Sequence, residues 1–225
     1  MPTLFRMTNY LIVPGLGNSG PEHWQTFFEN SGSNFIRIQQ QDWDAPDCED
    51  WISTIDRAVS GFNLSSVILI GHSIGCIAIA HWAKKYQKVI KGALLVAPSD
   101  LESPVYLFQA TDFSPIPQEK FNFRTIVVAS ENDEWVSPDR ARFFAANWGS
   151  DFISLGKAGH INVTSGYGVW NEGLDILKKL NLSKSYFFCF QTFNLFQTNL
   201  NYTHGSNSFS KTNFLKTHFQ TRQKG

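Results

Sequence analysis

A serine hydroxyl is a weak nucleophile until a neighbouring base takes its proton, so chemistry of this kind needs a serine on a tight turn and two groups to serve it. Gly71-His72-Ser73-Ile74-Gly75 has the first of these features. The apolar run Val67 to Ile70 precedes it and a helical stretch from Cys76 to about Tyr86 follows, the strand-turn-helix setting of a Gly-x-Ser-x-Gly nucleophile elbow. Glycines two positions either side of Ser73 let strand and helix approach each other. The hydroxyl is then expected to stand exposed at a helix N-terminus.

Acyl transfer at such a serine requires a base and an acid that orients it, and in this setting they follow the serine in the order Asp or Glu, then His. The run Thr125 to Ala129 leads into Ser130-Glu131-Asn132-Asp133, and Phe152 to Leu155 leads into Gly156-Lys157-Ala158-Gly159-His160. Glu131 and Glu134 compete with Asp133, which is preferred because a short Asn-Asp pair suits a tight turn. The expected triad is Ser73, Asp133 and His160. Each has an ordinary structural alternative: a helix N-cap, an Asx-turn residue and a loop histidine. Three such residues in the required order, two of them past strand ends, favour the catalytic reading. His72 adjoins the nucleophile but is expected to point elsewhere, and His23 and His81 fall on predicted helices. All three are read as structural.

The elements that must position these groups are short apolar runs: Tyr10 to Val13, Phe35 to Ile38, Val67 to Ile70, Ala93 to Ala97, Thr125 to Ala129 and Phe152 to Leu155. Between most of them lie amphipathic stretches with start signals, such as Asp47 before Cys48 to Phe62 and Ser137-Pro138 before Asp139 to Trp148. Alternation of buried strands with helices predicts the α/β class, with a mostly parallel sheet covered by helices on both faces and ligands at the strands' carboxyl ends. Residues 97–122 carry four prolines and no periodicity, too short a stretch for a large lid.

A second motif competes for the first loop. Pro14-Gly15-Leu16-Gly17-Asn18-Ser19-Gly20 satisfies Gly-x-Gly-x-x-Gly, with Asp42 about 20 residues on, the pattern of a dinucleotide site. Pro21 interrupts the turn that should already be helical. Under the hydrolytic reading the same loop supplies the backbone N–H of Leu16, which with that of Ile74 forms an oxyanion hole. The acidic cluster Asp42, Asp44, Asp47, Glu49 and Asp50 reads as solvated charge with Asp47 as a helix cap rather than as a metal site. Trp135, directly after the acid loop, is a candidate wall for the substrate pocket, whereas Trp24, Trp43, Trp51 and Trp170 read as core.

Composition narrows the class. The chain has 225 residues, 42% hydrophobic and 17% charged, with 19 basic and 19 acidic side chains, so it lacks the basic excess of a nucleic-acid binder. Five of the basic residues lie beyond position 182 and no acidic one does, which leaves 14 against 19 in residues 1–182. Three scattered cysteines make no disulfide framework or metal motif, and no run suits a membrane span or leader. These features point to a cytoplasmic protein. After Leu180 the composition shifts to Asn, Gln, Ser, Thr and Phe, so the expected organisation is one domain over 1–182 and a disordered, low-complexity tail over 183–225.

The motifs together resemble a known family, the small single-domain α/β-hydrolase serine hydrolases of the retinoblastoma-binding-protein-9 type, especially their bacterial members. The resemblance spans about residues 9–180. It rests on Pro14 to Trp24, Asp42-Trp43 with Asp50-Trp51, Gly71 to Cys76, Asn132-Asp133, Gly159 to Asn162 and Ser165 to Trp170. It implies the α/β-hydrolase fold without a large lid, with Ser73 as nucleophile, Asp133 as acid and His160 as base. Asn171 departs from the pattern, where Pro is expected after Trp170, and the tail has no counterpart in it.

The resulting expectation is a serine hydrolase that cleaves an ester, an amide or a thioester of a small molecule through an acyl-serine, with no metal or cofactor. The rival classes are a non-catalytic interaction module on the same fold, although no Leu-x-Cys-x-Glu motif is present, and a dinucleotide-binding protein through Gly15, Gly17 and Gly20. Adding NAD or NADP is expected to leave the melting temperature unchanged, whereas a ligand at 100 times its Kd would add roughly 2.7 kcal/mol. Truncation after Leu182 is expected to preserve ester turnover and improve solubility, read by assay and by light scattering. Unfolding of the truncated chain would move the domain boundary.

Overall fold

Alternation along each strand sends successive side chains to opposite faces of one sheet, and the helices divide accordingly. A computed structural model describes residues 7–104 and 111–181; the expected tail and its boundary lie outside them. The strands are β1 (Asn9–Val13), β2 (Phe35–Arg37), β3 (Val67–His72), β4 (Gly92–Val96), β5 (Arg124–Ala129) and β6 (Asp151–Ser154). All pairs are parallel, in the order β2-β1-β3-β4-β5-β6.

The helices are α1 (Trp24–Glu29), α2 (Cys48–Ser60), α3 (Ile74–Tyr86), α4 (Pro138–Trp148) and α5 (Asn171–Lys179). Leu11, Leu69, Leu95 and Val127 pack with α2, α3 and α4 on one face, while Ile12, Ile70, Leu94 and Val128 pack with α1 and α5 on the other. The sheet is thus covered on both faces, as expected of an α/β-hydrolase fold. No large extra domain is present among the described residues. Asp47 caps α2 by accepting from Asp50 N–H at 2.9 Å, and Ser137 caps α4 ahead of Pro138.

Two differences from the sequence reading bear on the site. Helix α3 begins at Ile74, directly after Ser73, because strand β3 continues through His72 and leaves one residue for the turn. His23 is not within a helix but caps α1, its Nδ1 accepting from Gln25 N–H at 3.2 Å. The buried Gln25 then ties three segments together. Its Nε2 donates to Val13 O and Ile70 O at 3.4 and 3.2 Å, and its Oε1 accepts from Ser19 at 2.7 Å. Arg37 grips the other side of this loop, donating to Asn18 Oδ1, Ser19 O, Thr26 Oγ1 and Glu29. The glycine-rich loop is therefore fixed from both flanks.

His23 and His72 are both buried, with ring centroids 4.8 Å apart. Burial, followed by the Arg37 charge and His160, lowers His23 to about 4, and burial holds His72 well below the usual imidazole range. Both rings fold neutral. An unfolded chain takes up protons near pH 6.5 that the folded chain refuses, so stability is complete above that pH and falls as pH drops toward 4. Denaturant unfolding at pH 7 and pH 5 should show the loss, with a slope up to about 1.4 kcal/mol per pH unit for each histidine. His23→Asn, which keeps a capping side chain, should remove the His23 share of the slope and leave that of His72.

Candidate active site

The elbow is built by sterics. Ser73 has φ 56° and ψ −129°, a conformation that L-residues avoid, and its side chain makes no capping bond to α3. Its N–H donates to Val96 O at 3.1 Å, which pins the turn to the neighbouring strand. A Cβ on Gly75 would stand 2.4 Å from Val13 O and 2.5 Å from Pro14 O, so the first turn of α3 lies against the end of β1 only because that side chain is missing. The helix-cap alternative for Ser73 is thereby corrected: the residue occupies the cap position but its hydroxyl is turned elsewhere.

Loops after β5 and β6 bring Asp133 and His160, the expected acid and base, together. His160 Nδ1–H donates to Asp133, with the two carboxylate oxygens at 3.0 and 2.9 Å, and the Asp133 side chain is fully buried. Asp133 Oδ1 also accepts from Trp135 N–H at 2.9 Å. Of the three competing carboxylates, Asp133 is the one that meets His160; Glu134 is exposed, and Glu131 accepts from Ser154 Oγ at 3.4 Å. The two loops are stitched by polar side chains that sequence reasoning missed. Ser130 Oγ donates within this junction and accepts from Ala158 N–H, while Asn132 Oδ1 accepts from Gly159 N–H at 2.8 Å. Ser165 Oγ accepts from His160 N–H at 3.0 Å. Small hydroxyl and amide residues flanking a motif were the available signal, but such residues are common in any loop.

Ser73 does not hydrogen-bond to His160 among the described residues. Its Oγ lies 2.8 Å from Ser99 Oγ, a second residue absent from the sequence reading, which follows β4. The Gly15 loop approaches the same point. A Cβ on Gly15 would come within 2.9 Å of Ser73 Cβ. Neither Leu16 N–H nor Ile74 N–H finds an acceptor among the described residues, whereas Gly17 N–H donates to Trp43 O. The two expected oxyanion donors, Leu16 N–H and Ile74 N–H, thus have no partner of their own among the described residues.

The remaining candidates have structural occupations. His72 Nε2–H donates to His160 O at 3.0 Å, and His81 Nε2–H donates to Phe113 O at 2.9 Å. Trp24 Nε1–H donates to Ile161 O at 2.8 Å, and the Trp135 ring lies 6.4 Å from that of His160. Asp42 Oδ1 accepts from Ala45 and Asp44 N–H, which lowers its pKa and gives it a place in the turn. Among the described residues no group of His, Cys, Asp and Glu is arranged to hold a metal ion, and no helix is long and apolar enough to cross a membrane. Cys48 and Cys76 are free and buried, and burial raises Cys48 to about 12, so neither thiol competes as a nucleophile.

Comparison with known proteins places the fold and the family. The model of the Serine hydrolase family matches residues 10–179. A protein from Pectobacterium atrosepticum described as a YdeN-like hydrolase is 34% identical, with a TM-score of 0.69 over 77% of this chain and 90% of its own. The ydeN gene product of B. subtilis is 18% identical at TM-score 0.63, covering 77% and 98%. An α/β hydrolase from a deep-sea metagenome, 13% identical at 0.54 over 70% and 84%, shares the fold. No curated protein sequence matches the chain. A family match across both the elbow and the histidine loop, on this sheet, means that the chain belongs to the serine hydrolase family, as a small member with the α/β-hydrolase fold.

Proposed function

We propose that the protein hydrolyses an ester of a small substrate through an acyl-Ser73 intermediate, as a hydrolase of the retinoblastoma-binding-protein-9 type. The observation that carries this reading is the buried Asp133–His160 hydrogen bond at 2.9 Å, tied through His72 to a serine held on a strained elbow. Asp133 keeps the proton on His160 Nδ1, which leaves Nε2 as the base. His160 takes the Ser73 proton as Oγ attacks the carbonyl carbon, and the oxyanion is received by the N–H groups of Leu16 and Ile74. The tetrahedral intermediate collapses by expelling the alcohol, which takes the proton from His160. Water, deprotonated by the same ring, then cleaves the acyl-enzyme and releases the acid. Amide and thioester substrates follow the same steps with a different leaving group.

A pure interaction module would have no use for two unpartnered N–H groups beside a strained serine and an adjacent acid–base pair. Labelling by a fluorophosphonate, followed by chromogenic esters of increasing acyl length, tests the reading. Ser73→Ala should remove labelling and lower kcat by on the order of 10⁴, because nucleophile and base act as a unit, while leaving the fold intact. Asp133→Asn should lower kcat by a similar order through the wrong histidine tautomer. Undiminished turnover by Ser73→Ala would dismiss it as the nucleophile.

A further inference from the structure

Ser99 has no role in the reading above, yet it touches the reacting atom. Strands β3 and β4 run parallel with His72 opposite Val96, so the chain leaves both strands side by side at their carboxyl ends. The backbone turns sharply at Ala97, φ 49°, whose N–H donates to Val128 O at 2.8 Å. That turn places Ser99, fully buried, with its Oγ 2.8 Å from Ser73 Oγ. Ser73 is its one hydrogen-bond partner among the described residues.

A pair of hydroxyls can bond in either direction, and the surroundings decide which. If Ser73 donated to Ser99, the Ser99 proton would be buried with no acceptor, an arrangement that folded proteins avoid. If Ser99 donates, its proton is satisfied and the Ser73 proton is left for another acceptor. Under the proposed function that acceptor is His160 Nε2, the nitrogen left without a proton in a neutral ring whose Nδ1–H is held by Asp133. The bond from nucleophile to base is commonly long in unliganded enzymes and tightens with substrate.

We propose that Ser99 is a positioning residue that donates its hydroxyl proton to Ser73 Oγ and so directs the Ser73 proton toward His160. The proposal rests on Ser73 being the nucleophile. The order of donation is Ser99 to Ser73 to His160, with His160 donating in turn to Asp133. During attack the Ser73 proton passes to His160 Nε2 while the Ser99 proton stays on its own oxygen and supports the charge growing on Ser73 Oγ. The same donor faces Oγ when it departs from the acyl group in deacylation. Ser99 is sealed from solvent, so it meets the nucleophile and not the substrate, and its effect belongs in kcat rather than in KM.

The test compares the full-length protein with Ser99→Ala, Ser99→Cys and Ser73→Ala, using the rate of fluorophosphonate labelling, kcat and KM on one chromogenic ester, and the melting temperature. Ser99→Ala should lose roughly tenfold in labelling rate and in kcat, the worth of one hydrogen bond to a developing charge, with KM changed less than about twofold. Its melting temperature should stay within a few degrees. Ser99→Cys, whose thiol is a weak donor, should recover part of the loss. Labelling and turnover by Ser99→Ala at the wild-type rate would overturn the proposal, and so would faster rates, which would mean that Ser99 restrains the serine. If Ser99→Ala does not fold, Ser99→Cys decides: a rate below wild type with unchanged KM supports the proposal and an unchanged rate overturns it. Labelling of Ser73→Ala at the wild-type rate would instead strike the nucleophile reading itself.

Discussion

The residue between β3 and α3 has to reverse the chain in a single step, and everything at the site depends on that step being held. A non-glycine at φ 56° costs on the order of 1–3 kcal/mol relative to relaxed backbone. It persists because its surroundings leave no alternative. Strand β3 is buried along its whole length, α3 sits against the β1 carbonyls, and Val96 takes the Ser73 N–H. A relaxed turn would have to pull α3 off the sheet or break the β3–β4 ladder. Each would expose apolar surface whose burial stabilises the fold by about 25 cal/mol per Å².

Given that fixed point, the opposing histidine must be held with comparable firmness although it sits on a loop. Polar side chains supply this where backbone ladders cannot reach. Ser130 and Asn132 join the two loops, Ser165 takes the His160 N–H, and His72 takes the His160 carbonyl from below. The bond from His72 needs a neutral ring that keeps its proton on Nε2, and its burial enforces neutrality. The residue before Ser73 therefore holds the loop that carries His160. Asp133, His160 and Ser73 come from three different strand ends, and their mutual placement is a property of the sheet order rather than of any one segment.

Much of this was legible from residue types. Short apolar runs marked all six strands, Asp47 and Ser137-Pro138 marked their helices, and the order aspartate then histidine past two strand ends marked the pair that the fold joins. The start of α3 was read two residues late because Gly75 weakens helical propensity while packing there demands it. His23 was placed inside a helix because a histidine N-cap lacks the usual Ser, Thr, Asp or Asn signature. Ser99 escaped notice for a deeper reason. Its partner is set by the register between β3 and β4 and by a left-handed Ala97, and neither leaves a trace in a local window.

The bond from Trp24 Nε1 to Ile161 O joins residues 137 positions apart, next to the α1 cap at one end and to His160 at the other. Contacts of such sequence separation form late, since the intervening chain must be ordered first. During synthesis, a chain that has emerged only through α4 already contains Ser73 and Asp133 but not His160. Its α1 tryptophan still lacks the carbonyl that receives it. The Asp133–His160 bond and the Trp24–Ile161 bond therefore both wait for the same loop after β6 to be made.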